Sequence, residues 1–193
     1  HVLSRRQRQM CIRDRMENRG RIVALDTDAG RLERGGARIR RAGIHNIERV
    51  AVSGDWGTKR YRGKFDRVVI DAPCSGSGTW RRQVDVRWRT DAATMARLHD
   101  AQASLLEKGR AMLAPGGRIV YITCSVLRSE GEAQIERLMQ DAPELEIADI
   151  AEIWRDVISE DAMPPVSDGM LRLLPGRDGT DGFFMAVLQS RLR

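Results

Sequence analysis

The chain has 193 residues, 41% hydrophobic and 31% charged, which suits one domain with a real core. It contains no apolar run near the ~18 residues of a membrane span, and its opening turns at once to arginines rather than to a secretory signal. A formal charge of +6 and a pI near 9.9 favour a polyanionic partner such as nucleic acid, because lysine and arginine neutralise phosphates, although an arginine-rich proteome would produce the same excess.

In chain order, the stretch from Ser4 to Arg15 is strongly cationic and keeps neither a strand nor a helix period. It resembles translated adapter sequence, so residues 1–15 are set apart as a non-native or disordered basic segment. Residues 16–193 are read as the structured part. Arg21 to Leu25 is a short apolar run closed by Asp26, a strand with a carboxylate at its C-terminal end. Asp28 caps a helix over Ala29 to Arg41, which Gly35 and Gly36 weaken. Ile47 to Val52 is a second strand, followed by Ser53, Gly54 and Asp55. Phe65 to Ile70 is a third, closed by Asp71.

A glycine-rich loop comes next, and then a long helix to about Leu113, capped by Thr90 or Asp91. Met95, Leu98, Leu105, Leu106 and Met112 form its apolar stripe. Ala114 to Gly117 reads as a turn, Arg118 to Ile122 as a strand and Ser129 to Met139 as a helix. Leu145 to Ile150, Met170 to Leu174 and Phe183 to Leu188 read as late strands, with loops at Pro164-Pro165 and Pro175 to Gly182. Strands alternating with helices predict an α/β fold: a mostly parallel sheet with an antiparallel C-terminal hairpin. Ligands in such folds bind beyond the carboxyl ends of the strands, where Asp26, Asp55, Asp71, Cys74 and Cys124 all fall.

The three cysteines (Cys11, Cys74, Cys124) are too few for a disulfide framework, and no CxxC pair or zinc-like histidine spacing accompanies them. No metal site is therefore expected, and a reducing cytoplasm is the simplest setting. Asp26 can accept from both hydroxyls of a cofactor ribose; capping the next helix is the plainer alternative. Asp55 can accept from an adenine amino group or serve as an ordinary turn aspartate. In Asp71-Ala72-Pro73-Cys74-Ser75-Gly76-Ser77-Gly78, Pro73 directs the chain off the sheet rim, and the glycines allow close approach to a flat ligand. A free cysteine is most often a small buried hydrophobe, but Cys74 lies in a polar loop and Cys124 ends a strand within Thr123-Cys124-Ser125. A thiol must ionise to attack an electrophile, and Arg81, Arg82 and Arg128 are the candidate cations. Solvated surface charge or phosphate contact is their alternative role.

The segments Asp71 to Arg82, Pro115 to Glu130 and Asp181-Gly182-Phe183-Phe184 resemble the RsmB/NSUN-type RNA cytosine-5 methyltransferases, most closely the bacterial members. The resemblance runs from about Met16 to the C-terminus. It implies a class I S-adenosylmethionine-dependent fold, a ribosomal or transfer RNA substrate and a monomer in the cytoplasm. It also implies Cys124 as nucleophile at carbon 6 of cytosine, Cys74 in adduct release, and Asp71 between cofactor and base. Asp26 and Asp55 would hold ribose and adenine; Arg81, Arg82 and Arg128 would contact RNA. Phe183 and Phe184 would border the pocket or belong to the core.

The residues alone do not order the two cysteines. DNA cytosine-5 methyltransferases use the cysteine of a Pro-Cys motif, here Cys74, whereas the Thr-Cys-Ser motif favours Cys124. The glycine-rich loop with a lysine that family members carry after their first strand has no counterpart here. The expectation is a fragment lacking that strand and loop, which leaves the Arg21–Leu25 and Phe65–Ile70 strands without a shared neighbour and weakens cofactor binding and stability. The competing reading is a non-catalytic RNA-binding module.

Overall fold

A computed structural model of the chain describes Met16 and residues 19–41, 43–53, 56–88, 90–157 and 165–192. Asp55 and the whole basic segment 1–15, with Cys11, lie outside these described residues. The chain divides into two compact units, residues 1–60 and 61–193.

In the first unit, β1 (Ile22–Asp26), α1 (Ala29–Arg41) and β2 (Ile47–Ala51) form a β-α-β crossover. The two strands are parallel, with Ile22 opposite Ile47 and Asp26 opposite Ala51. Parallel neighbours cannot be joined by a tight turn, so α1 makes the return. Asp28 caps that helix as its position predicted: its Oδ1 accepts from Arg31 N at 2.9 Å. This bond, with the nearby arginines, holds the Asp28 carboxyl below the usual aspartate range. Among the described residues, the buried hydrophobic side chains of this unit are Ala24, Ile39 and Ile44. The short helix α2 (Trp56–Tyr61) ends at the division between the units.

The second unit contains β3 (Phe65–Asp71), α3 (Val84–Trp88), α4 (Ala92–Met112), β4 (Leu113–Thr123), α5 (Glu132–Asp141) and β5 (Leu145–Ile147). It continues with α6 (Ile150–Val157), β6 (Val166–Ser167), β7 (Met170–Leu173), α7 (Pro175–Asp178) and β8 (Phe183–Ser190). Its sheet runs β3-β4-β8-β7-β6, and β5 also pairs with β8. β3 and β4 are parallel, while β8 is antiparallel to β4, β5 and β7, which gives the expected antiparallel C-terminal hairpin. β1 and β2 form a separate sheet, and among the described residues no strand bridges it to β3.

β4 is an interior strand, paired with β3 on one side and β8 on the other, and its burial fits that place. Ile119, Tyr121 and Thr123 are fully buried, and Ile122 on the opposite face nearly so, as in a strand covered on both sides. Ile70, Leu106, Ile135, Leu138, Phe184, Ala186 and Leu188 complete the main core. α4 starts at Asp91, whose side chain accepts from Thr94 N at 2.7 Å.

Three local readings change. Ala114 to Gly117 lies within β4 as a bulge, where the partner of β3 advances from Leu113 to Arg118 between Phe65 and Arg67. Gly116, at φ +68°, absorbs the extra residues. The run from Leu145 to Ile150 is a three-residue strand followed by α6, because Asp149 Oδ1 accepts from Ala151 N at 2.8 Å and starts a helix. Pro175 to Asp178 is a short helical turn inside the expected loop.

Candidate active site

β3 and β4 are parallel neighbours with Asp71 opposite Ile122, so their C-terminal ends meet on one edge. Each chain leaves that edge carrying a cysteine. Cys74 Sγ and Cys124 Sγ lie 3.4 Å apart, both as free thiols and both half-buried. This is hydrogen-bond distance for sulfur, so one thiol donates to the other.

Buried polar groups hold the two loops. Glu130, in the 3-10 turn Arg128–Glu130, is fully buried. Its Oε1 accepts from Ser75 N at 2.8 Å and Gln102 Nε2 at 3.1 Å, and its Oε2 accepts from Ser75 Oγ at 2.6 Å. Gln102 Nε2 also donates to Pro73 O at 2.9 Å, and Trp80 Nε1 to Ser75 O at 3.2 Å. The backbone on both sides of Cys74 is thus pinned. The Cys124 loop is joined to it by Gly78 N donating to Cys124 O at 3.1 Å and by the Ser77 and Ser125 hydroxyls at 2.9 Å. Gly182 N donates to Gly78 O at 2.8 Å, and any Cβ on Gly78 would collide with the Gly182 backbone. Only glycine permits that approach.

The bond to Cys124, then burial, then the charge on Cys124 push the Cys74 thiol well above its ordinary value, with Glu130 adding to the effect. Burial, and after it the charges of Cys74 and Glu130, raise the Tyr121 hydroxyl. The two thiols titrate as a unit.

The other predicted residues fall as follows. Asp71 ends β3, three residues before Cys74. Asp26 ends β1 in the first unit; its Oδ1 accepts from Asp28 N at 3.0 Å, and its Oδ2 pairs with Arg31 at 3.2 Å. Asp55 lies outside the described residues. Arg81 Nε donates to Asp181 Oδ1 at 3.2 Å, and Arg82 pairs with the same carboxylate. Arg128 pairs with Glu136 at 3.4 Å. The strongest influences on Cys74 are Cys124, burial and the backbone of Gly76, not these arginines. Phe184 is fully buried, edge-on to Tyr121 at 6.3 Å between centroids, and belongs to the core; Phe183 is half-buried. Among the described residues no group of three or more His, Cys, Asp or Glu could hold a metal, and no helix is long and apolar enough to cross a membrane.

No sequence motif marks Glu130 or Gln102 as site residues. One signal existed: Gln102 sits four residues before Leu106 on the apolar stripe of α4, and a polar side chain on a core-facing stripe needs a buried partner.

A sequence model of the 16S rRNA methyltransferase RsmB/F family matches residues 9–189. The chain belongs to this family. The probable ribosomal RNA small subunit methyltransferase B of Synechocystis sp. is 37% identical over 92% of this chain and 39% of its own length. Its counterpart from Bacillus subtilis is 31% identical over 93% of this chain and 40% of its own length. The crystal structure of PH0851 superposes with a TM-score of 0.82 at 28% identity, covering 94% of this chain and 40% of that one. The chain thus spans about two fifths of the length of these relatives. Its fold is that of the class I methyltransferases, as the resemblance implied.

Proposed function

We propose that residues 16–193 form part of the catalytic domain of an S-adenosylmethionine-dependent RNA cytosine-5 methyltransferase acting on ribosomal RNA. The observation that carries this reading is the thiol pair, 3.4 Å apart beyond the ends of two adjacent parallel strands. Cys124, directly after the end of β4, attacks carbon 6 of cytosine and forms a C–S bond. The attack pushes electron density to carbon 5, which becomes the nucleophile for methyl transfer. S-adenosylmethionine, when bound, supplies an electrophilic methyl group on a sulfonium.

Once Cys124 is bonded to carbon, the hydrogen bond between the two thiols is lost and Cys74 becomes free to titrate. Its thiolate then assists removal of the carbon 5 proton. The C–S bond breaks, and Cys124 leaves as thiolate. Asp71, three residues before Cys74, would stand between cofactor and base.

The strand-end carboxylates suit the cofactor. Asp26 already uses both oxygens as acceptors, which is the function a ribose diol needs, and its Arg31 partner is half-exposed and able to swing aside. Asp26 and Asp71 would contact it, with Asp55 on the adenine. Arg81, Arg82 and Arg128, with side chains 54%, 47% and 75% exposed, would meet RNA phosphates. A reducing cytoplasm suits two free thiols this close, since oxidation would join them.

The test is an adduct trap with full-length protein containing this segment. Cys74→Ala should accumulate a protein–RNA adduct that survives denaturation, and Cys124→Ala should form none. The reverse pattern would assign attack to Cys74, as in DNA cytosine-5 methyltransferases. RNA binding with no adduct from either variant would favour a non-catalytic RNA-binding module.

A further inference from the structure

Among the described residues, the most exposed large hydrophobic side chain is Trp88 of α3, with 80% of its surface open. Val84, one turn earlier on the same helix, is 63% exposed. The partners of Trp88 are not apolar. The exposed Arg87 guanidinium stands over two rings at once, 5.6 Å from the Trp88 centroid and 6.0 Å from the Trp80 centroid. Trp80 in turn donates from Nε1 to Ser75 O at 3.2 Å, beside Cys74. A row of indole, guanidinium and indole thus leads outward from the thiol loop and ends on Trp88. Hydrogen bonds stiffen the segment that carries it. Thr79 Oγ1 donates to Gly76 O at 2.8 Å, Gln83 N to Thr79 O at 3.1 Å, and Thr90 Oγ1 to Val86 O at 2.9 Å. The covalent chemistry proposed for the thiols uses none of Trp80, Arg87 and Trp88.

We propose that Trp88 is a stacking platform for an unpaired RNA base next to the target cytosine, with Arg87 bracing its ring against Trp80. The choice of RNA rests on the proposed methyltransferase function. Every nucleobase offers a flat π-face, and an exposed indole among guanidiniums is a surface that holds unpaired nucleotides. The guanidiniums of Arg81, Arg82 and Arg87 stand against the carboxylates of Asp85 and Asp181, so the surroundings are net positive and suit a polyanion. The same charge argues against a protein partner. Val84 and Trp88 set among arginines make too small an apolar core for a protein interface, whose centre is depleted in charge. The platform also serves the chemistry. A cytosine turned out of its stack toward the thiols leaves its neighbour with one bare face, and an indole covering that face offsets part of the cost.

The test is binding of a single-stranded oligocytidylate of ~12 nucleotides to full-length protein containing this segment, followed by fluorescence anisotropy. It needs neither cofactor nor adduct, so a failed adduct trap leaves its result standing. Trp88→Ala should weaken binding about tenfold, and Trp88→Tyr, which keeps a flat ring, should restore most of the loss. Salt separates stacking from charge. Trp88→Ala should leave the slope of log affinity against log salt unchanged, whereas Arg81→Ala should reduce it by about 0.7. Binding of the same strand paired with its complement should not respond to Trp88→Ala, because duplex bases are already stacked. Equal melting temperatures of parent and variants exclude misfolding as the cause of a loss. If the parent binds the oligonucleotide and Trp88→Ala binds it equally well, the ring meets something other than an RNA base. The proposal then falls while the methyltransferase reading stands. It falls likewise if Trp88→Tyr binds as weakly as Trp88→Ala. A parent protein that binds no single-stranded RNA overturns the platform and the RNA substrate together.

Discussion

The two units of this chain solve the same structural problem with very different resources. Residues 1–60 supply one β-α-β crossover and a two-stranded sheet, with Ala24, Ile39 and Ile44 as the described buried hydrophobic side chains. Residues 61–193 supply a six-stranded sheet with interior strands buried on both faces and two hydrophobic clusters, the larger of aromatic, aliphatic and methionine side chains. A two-stranded sheet buries too little apolar surface to offset its ordering entropy, whereas six strands with covering helices can. The thiol pair, its buried carboxylate and the loops that join them all belong to the second unit. Reactive groups that must hold a 3.4 Å separation are built on the part of the fold able to hold it.

The comparison breaks most directly in the core. Phe184→Ala removes a fully buried ring packed against Tyr121 and Arg172, and should cost about 3–5 kcal/mol in urea unfolding. A loss below 1 kcal/mol, roughly a surface-like value, would mean the second unit is not the stable one. Hydrogen exchange sharpens the contrast next. Amides of Ile119 to Tyr121 should be protected at least ~100-fold more than those of Val23 to Leu25, since local opening of a two-stranded sheet needs less free energy than global unfolding. Equal protection in the two strands would place both sheets in one cooperative body.

A smaller effect is expected at the loop contact. Gly78→Ala forces a methyl group into the Gly182 backbone and should cost about 1–3 kcal/mol, read as a lowered melting temperature. It should also raise the alkylation rate of both thiols, because Gly78 ties the loop to Cys124 O. The smallest effect concerns an ion pair of the second unit. Arg110 Nε and Nη2 meet Glu144 at 2.6 and 3.1 Å, and the bond to Arg110 holds the Glu144 carboxyl below its ordinary value. A depressed carboxylate contributes stability above its unfolded pKa, which is lost as pH falls through the folded one. Glu144→Gln should therefore cost about 0.5–1 kcal/mol at pH 7 and almost nothing near pH 2, measured as urea midpoints at both pH values.

Much of this protein is determined by short-range pattern. The apolar runs closed by Asp26 and Asp71, the cap at Asp28 and the long helix after Asp91 depend on residues a few positions apart, and they stand where their spacing puts them. The two cysteines could be placed at strand ends for the same reason. That their strands are adjacent, and the thiols within hydrogen-bond distance, depends on the β3–β4 pairing, which couples residues about fifty positions apart. Glu130 reaches Ser75 and Gln102 across 55 and 28 positions, and Arg81 reaches Asp181 across 100. No local period encodes such partners. The charge of Arg81 and Arg82 suggests a cation for the thiols, but the returning chain brings Asp181 to those arginines and Glu130 to Ser75. Sequence alone determined which chemical groups stand at the rim. Tertiary structure decided which of them touch, because burial and hydrogen-bond satisfaction are properties of the packed chain.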